Sequence, residues 1–216
     1  MVELLNIDCM EYMATQPDNA FDLAIVDPPY GIGSWVRDSY TSKGGKGPRV
    51  PNTSSWAKGV KWNDEIPQES YFAELRRISD RQLIWGANYY NCFNGGALIW
   101  YKGDQAKTVS HAEIASLSFQ NRVDLVHINW QPGFYRKLHG EQIHPCQKPV
   151  KLYEWILKNY AESDQRILDT HLGSGSSAIA AHYFGCDFVG CEIDPDYYQA
   201  AKQRFDNETR QMSLRV

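Results

Sequence analysis

The run Leu23-Ala24-Ile25-Val26 leads straight into Asp27-Pro28-Pro29-Tyr30. A short, β-rich apolar run that stops at two prolines reads as a buried strand ending in a rigid turn. Proline lacks an amide hydrogen and fixes φ, so neither a sheet ladder nor a helix continues through the pair. A carboxylate, an aromatic ring and a stiff backbone are thus delivered at the carboxyl end of a strand. In open α/β sheets that is where ligands bind.

The rest of the chain has the rhythm such a sheet needs. Strands are predicted at Val2–Ile7, Leu23–Val26, Gln82–Trp85, Ala97–Trp100, Glu113–Phe119, Arg166–Leu168 and Phe188–Cys191. Helices are predicted at Cys9–Met13, Gln68–Ile78, Lys148–Tyr160, Ser174–Phe184 and Pro195–Asn207, with proline suited to the first turn of the last. Arg37 to Trp62 reads as a Gly/Ser/Lys-rich loop, and Asn121–Ile143 as irregular. Alternating strands and helices imply an α/β fold, a doubly wound, mostly parallel sheet with helices on both faces. At 216 residues the chain suits one domain over 1–216, with 35–62 and 120–147 as insertions.

Composition narrows the class. With 43% hydrophobic and 22% charged residues, a folded soluble protein is expected. No apolar run has the length of a membrane span, and Met1-Val2-Glu3-Leu4 opens no secretion signal, so a cytoplasmic location is expected. The five cysteines contain no C-x-x-C pair, which predicts free thiols and no metal site.

The turn chemistry suits a flat base carrying an exocyclic amine. The lone pair of such an amine is delocalised into the ring. Two acceptors aimed at its two N–H groups favour a pyramidal nitrogen with the lone pair free. Asp27 can offer one from its side chain and Pro28 the other from its carbonyl, held by the Pro28-Pro29 backbone. Tyr30 can stack on a base taken out of a duplex. A second site lies in Ile167-Leu168-Asp169-Thr170-His171-Leu172-Gly173-Ser174-Gly175, a strand running through a Gly-rich turn into a helix. Glu192 ends the next strand 19 residues after Gly173, the spacing at which an acid binds a ribose diol. The turn lacks the third glycine of a dinucleotide site, so a nucleoside without pyrophosphate fits better.

Net charge is −4, yet the basic residues are clustered. Arg37, Lys43, Lys46, Arg49, Lys58 and Lys61 face only Asp38 between Trp35 and Trp62. Arg122, Arg136, Lys137, Lys148 and Lys151 outnumber Asp124 and Glu141. Basic loops on an acidic body make a directed phosphate-binding face.

Together these segments resemble the amino-group DNA methyltransferases that use S-adenosylmethionine. Asp27-Pro28-Pro29-Tyr30 matches the catalytic motif, and His144-Pro145-Cys146-Gln147-Lys148-Pro149 resembles the family's His-Pro-Thr-Gln-Lys-Pro segment. Asp169 to Ser177 matches the cofactor turn, with Thr170 and His171 in place of Pro and Phe. The catalytic motif precedes the cofactor turn, which resembles the family's circularly permuted β arrangement. That order implies that Val2–Ile7 lies beside Phe188–Cys191. The resemblance implies a Rossmann-like methyltransferase sheet, catalysis by Asp27, Pro28, Pro29 and Tyr30, and cofactor contacts from Asp8, Cys9, Lys148, Asp169, His171, Gly173, Ser174, Gly175, Glu192 and Ile193. It is closest to small stand-alone phage and bacterial enzymes, and no nuclease motif is present. The partner implied is double-stranded DNA with a flipped base, with a homodimer as a way to enlarge a small recognition surface.

Within that resemblance, the Asp-Pro-Pro-Tyr form implies adenine N6 as the target. Cytosine N4, the base of a structured RNA, and a catalytically silent nucleic-acid-binding relative stay open as alternatives.

Overall fold

The computed structural model describes residues 1–32, 63–104, 110–130 and 143–210. Eight strands form one sheet: β1 (Val2–Asn6), β2 (Phe21–Val26), β3 (Ser79–Trp85), β4 (Gly96–Tyr101), β5 (Ala112–Leu117), β6 (Val123–His127), β7 (Arg166–Asp169) and β8 (Asp187–Glu192), in the order β1-β8-β7-β2-β3-β5-β4-β6. All neighbours are parallel except β5, which is antiparallel to β3 and β4. The helices are α1 (Cys9–Ala14), α2 (Glu69–Ile78), α3 (Ala87–Tyr90, one turn), α4 (Val150–Tyr160), α5 (Ser176–Phe184) and α6 (Pro195–Arg210).

β2 shows why the sheet is covered on both sides. Its side chains alternate: Leu23 and Ile25 enter a core with Leu152 and Ile156 of α4 and Ala178 of α5. Ala24 and Val26 enter a second core with Tyr12 and Met13 of α1 and Phe72, Leu75 and Ile78 of α2. A parallel strand buried on both faces is apolar throughout, which is how its sequence reads. α5 is built from small residues, and Ser176 through Ala181 are all buried, so its backbone sits close to the sheet and to α4.

The expected β1–β8 pairing is present, with Leu4 opposite Gly190 and Asn6 opposite Glu192. The N-terminal ammonium bonds Asp187, and Tyr198 of α6 donates to the Leu4 carbonyl at 3.2 Å. One expectation fails: Asn121–Ile143 is not irregular throughout. Residues Val123–His127 form β6, parallel to β4 at the sheet edge. The signal is weak because Val123 and Leu125 are 63% and 64% exposed, so of the strand's three apolar residues only Val126 marks a buried face. Two helices start two residues later than expected, for stereochemical reasons. Gly175 adopts φ +73° and caps α5, and Pro149 is extended and caps α4.

Register delivers the functional segments to one place. β2 pairs with β7 and β7 with β8, all parallel. The carboxyl ends that carry Asp27, Asp169 and Glu192 therefore lie side by side.

Candidate active site

The Asp27-Pro28-Pro29-Tyr30 turn is held at several of its polar atoms. The Tyr30 amide donates to Asn63 Oδ1 at 2.6 Å. The Tyr90 hydroxyl donates to the Pro28 carbonyl at 2.5 Å and the Pro29 carbonyl at 2.9 Å. The Tyr30 hydroxyl donates to Asp27 Oδ1 and Lys148 Nζ donates to Oδ2, both at 2.5 Å. Nζ also lies 3.3 Å from the Tyr30 oxygen. The Tyr30 ring stacks on Tyr89, with centroids 4.8 Å apart and planes 14° apart. It rests against the backbone of Gly86, where an added Cβ would sit 2.3 Å from the ring.

Behind Lys148 lies a second carboxylate. Glu113 of β5 places Oε2 3.1 Å from Nζ and accepts at Oε1 from Lys102 Nζ at 2.9 Å. Burial pushes the Asp27 carboxyl above its ordinary value, against the opposing pull of Lys148. Burial acts on Glu113 too, but two ammonium groups outweigh it and hold that carboxyl below its usual range. Burial opposes the Lys148 charge, and the two carboxylates overcome it, so the ammonium is held above its ordinary value. The Tyr30 phenol is raised well above normal by burial and by Asp27.

The Gly-rich turn between β7 and α5 is tied internally. Asp169 Oδ1 accepts from the His171 amide at 3.0 Å and Oδ2 from Ser177 Oγ at 2.6 Å. Burial pushes this carboxyl up to about 7. Glu192 Oε2 accepts from the Gly173 amide at 2.9 Å and Oε1 from the Asp194 amide at 3.0 Å. The Gly175 amide donates to the Leu172 carbonyl at 3.0 Å. Ser176 Oγ donates to the Lys148 carbonyl at 2.8 Å, joining this turn to the lysine segment. At the substituted positions, Thr170 Oγ1 is 2.7 Å from the Tyr71 hydroxyl and 2.9 Å from His171 Nδ1. Burial lowers His171 to about 4, so its ring is neutral at pH 7. His144 is lowered to about 3 by burial and then by Lys148.

Both groups open on one cleft of about 310 Å³. Of the candidates from sequence, Asp27, Pro28, Pro29, Tyr30, Lys148, His171, Gly173, Ser174, Glu192 and Ile193 line it. Four others are placed differently. Asp8 caps α1, its Oδ1 accepting from the Met10 amide at 2.7 Å. Cys9 opens α1 and packs on the second core, its thiol pushed up to about 12 by burial and by Asp8. Asp169 spends its oxygens on the His171 amide and on Ser177 at the start of α5, and a Cβ added at Gly175 would meet Ala201 of α6 at 3.4 Å. Arg37, Lys43, Lys46, Arg49, Lys58, Lys61, Arg136 and Lys137 lie outside the described residues. Among the described residues no cluster of His, Cys, Asp and Glu could hold a metal ion.

Sequence reasoning missed Asn63, Tyr90 and Glu113. Each reaches the site from far along the chain: Asn63 from the turn before α2, Tyr90 from α3 after β3, and Glu113 from β5. Gln147 and Cys146, inside a segment singled out from sequence, also line the cleft.

Comparison with known proteins places this geometry. The DNA methylase family of N6 and N4 methyltransferases matches residues 129–203. The type II methyltransferase M1.MboII of Moraxella bovis is 32% identical, over 90% of this chain and 93% of its own length. Among solved structures, the M1.HpyAVI–SAM complex aligns with a TM-score of 0.59 at 18% identity, covering 95% of this chain and 100% of that one. The cytosine-N4-specific PvuII DNA methyltransferase aligns with a TM-score of 0.59 at 13% identity, over 97% of this chain and 90% of its own.

Proposed function

The chain belongs to the N6/N4 amino-group DNA methylase family, and from that premise we propose that it methylates the N6 amine of adenine in double-stranded DNA, using S-adenosylmethionine. The observation that carries this reading is the shared cleft. Asp27 and the Pro28 carbonyl stand at the end of β2 on the same cavity as Glu192 and the Gly173 turn.

The residues present fit a nucleoside cofactor. Glu192 is buried, and each of its oxygens holds one backbone amide and keeps a lone pair for a ribose hydroxyl. The Gly173 and Gly175 amides are consumed by Glu192 and Leu172, so neither is left for a pyrophosphate. Asp169 and Gly175 serve the site through the shape of the turn, and Asp8 through the start of α1. Bound S-adenosylmethionine would supply an electrophilic methyl group on a sulfonium.

The protein's own part is positioning. Asp27 and the Pro28 carbonyl each accept one N–H of the target amine and favour a pyramidal nitrogen. Tyr30, backed by Tyr89 and Gly86, offers a fixed ring face to a base turned out of the helix. Burial raises the affinity of Asp27 for a proton, so its carboxylate can take the proton that the methylated amine sheds.

Expression in a host without DNA methylation, followed by single-molecule sequencing, tests the proposal. Modified adenines in a short motif are expected. Modified cytosines would move the target to N4, and unmodified DNA would favour a silent nucleic-acid-binding relative.

A further inference from the structure

Asp27 is not open in this structure. Oδ1 takes the Tyr30 hydroxyl and Oδ2 takes Lys148 Nζ. An amine that is to bind Asp27 must share or displace these donors. Lys148 is only 4% exposed, and a buried ammonium that loses its partner is strongly disfavoured. It therefore needs another carboxylate within a short move.

Glu113 is that carboxylate. Its Oε2 is buried, lies 3.1 Å from Nζ and makes no hydrogen bond of ordinary geometry there. Its other oxygen is held by Lys102, which fixes the carboxylate and keeps it charged. Lys102, Glu113, Lys148 and Asp27 form a row of alternating sign, the ammonium groups buried and the carboxylates partly so, drawn from the end of β4, from β5, from the segment before α4 and from the Asp27 turn. Trp85 supplies a ring face 5.3 Å from Nζ.

We propose that Lys148 is a two-seat counter-ion and Glu113 a positioning residue, which receives the ammonium when the target amine takes its place on Asp27. The inference rests on the amino-methylation reading above. Without the second seat, Lys148 stays on Asp27 and competes with substrate. With it, the ammonium needs only a short shift toward an oxygen already 3.1 Å away, and no buried charge is stranded. No bond is made or broken in this step, and no proton leaves Lys148.

Steady-state transfer to unmethylated genomic DNA tests it with Glu113→Gln and Glu113→Asp. E113Q keeps the shape and loses the charge, so kcat is expected to fall on the order of 10- to 100-fold. Affinities for S-adenosylmethionine and DNA should stay within about twofold, since the residue touches neither. E113D, which keeps the charge, should recover most of the loss. Wild-type kcat in E113Q, or equal impairment in E113Q and E113D, would overturn the proposal. A wild-type chain that transfers nothing would instead defeat the amino-methylation reading. A thermal-unfolding cycle of E113Q, Lys148→Met and the double variant needs no substrate and separates the two failures. A double variant more stable than the two single losses predict, including one that folds where E113Q does not, supports the shared seat. Strict additivity, or a double variant that folds no better than E113Q, overturns it.

Discussion

At the scale of single residues, the site is a set of acceptors kept in place by donors. Asp27 carries the largest expected effect. Asp27→Asn keeps the shape and removes the charge that receives a proton, so kcat should fall roughly 10²- to 10⁴-fold. Calorimetry should show S-adenosylmethionine binding nearly intact in the same variant. Tyr90 illustrates a subtler role. Its hydroxyl donates to the Pro28 carbonyl, which on the proposed reading keeps its other lone pair for the amine. Tyr90→Phe removes the hydroxyl shared by the Pro28 and Pro29 carbonyls without opening a cavity, and kcat should drop about fivefold while the melting temperature falls by only a few degrees. A melting temperature that falls while kcat holds would make Tyr90 a packing residue only.

At the scale of elements, two turns carry the site, and each makes its own prediction. Gly86, between β3 and α3, sits at φ +74° beneath the Tyr30 ring. Gly86→Ala is strained and drives a methyl into that ring, so transfer should be lost while cofactor binding, on the far side of the cleft, persists. Activity near wild type would show that Tyr30 is not held by this turn. In the β7–α5 turn, burial keeps His171 neutral, its pKa lowered from 6.5 to about 4. The unfolded chain then takes up a proton that the folded chain refuses as pH falls through this window. His171 therefore contributes a loss of stability from about pH 6.5 down to about 4. His171→Phe removes that contribution, so the gap between variant and wild-type melting temperatures should shift in favour of the variant across the same window. Parallel melting curves would place the histidine in an environment where it protonates freely.

These turns also show what can be read from the chain before folding. Asp27-Pro28-Pro29-Tyr30 and the Asp169–Gly175 turn are legible because each is local: apolar run, breaker and polar residues follow in order. The parallel sheet is legible because β2, β7 and β8 are short apolar runs. β6 is not, since an edge strand with Val123 and Leu125 exposed lacks the pattern of a buried face. Glu113 and Tyr90 are not either, because their roles depend on register. Glu113 stands opposite Trp100 in the β4–β5 ladder, one strand beyond β3. Nothing in the neighbouring sequence marks it. Asp8 and Cys9 show the opposite case: a family motif singled them out, yet their local role is to start a helix.

At the scale of the molecule, an acidic protein of net charge −4 must hold a polyanion. The basic residues of 35–62, with Arg136 and Lys137, are proposed to do so, while Lys148 stays buried against Asp27. Affinity for duplex DNA should then fall linearly with the logarithm of salt concentration. Replacing Lys43, Lys46, Lys58 and Lys61 with Gln should flatten that dependence. A salt dependence that does not change would put the DNA face elsewhere. The central claim is that this cleft moves a methyl group to an exocyclic amine of DNA. Purified protein, S-adenosylmethionine with a labelled methyl and unmethylated duplex DNA, followed by digestion and nucleoside mass spectrometry, tests it most directly. The account predicts label in N6-methyladenine, formed roughly 10²- to 10⁴-fold more slowly when Asp27 is Asn. Label formed at the wild-type rate in the Asp27→Asn variant, or no label from a folded wild-type protein that binds both ligands, would contradict it.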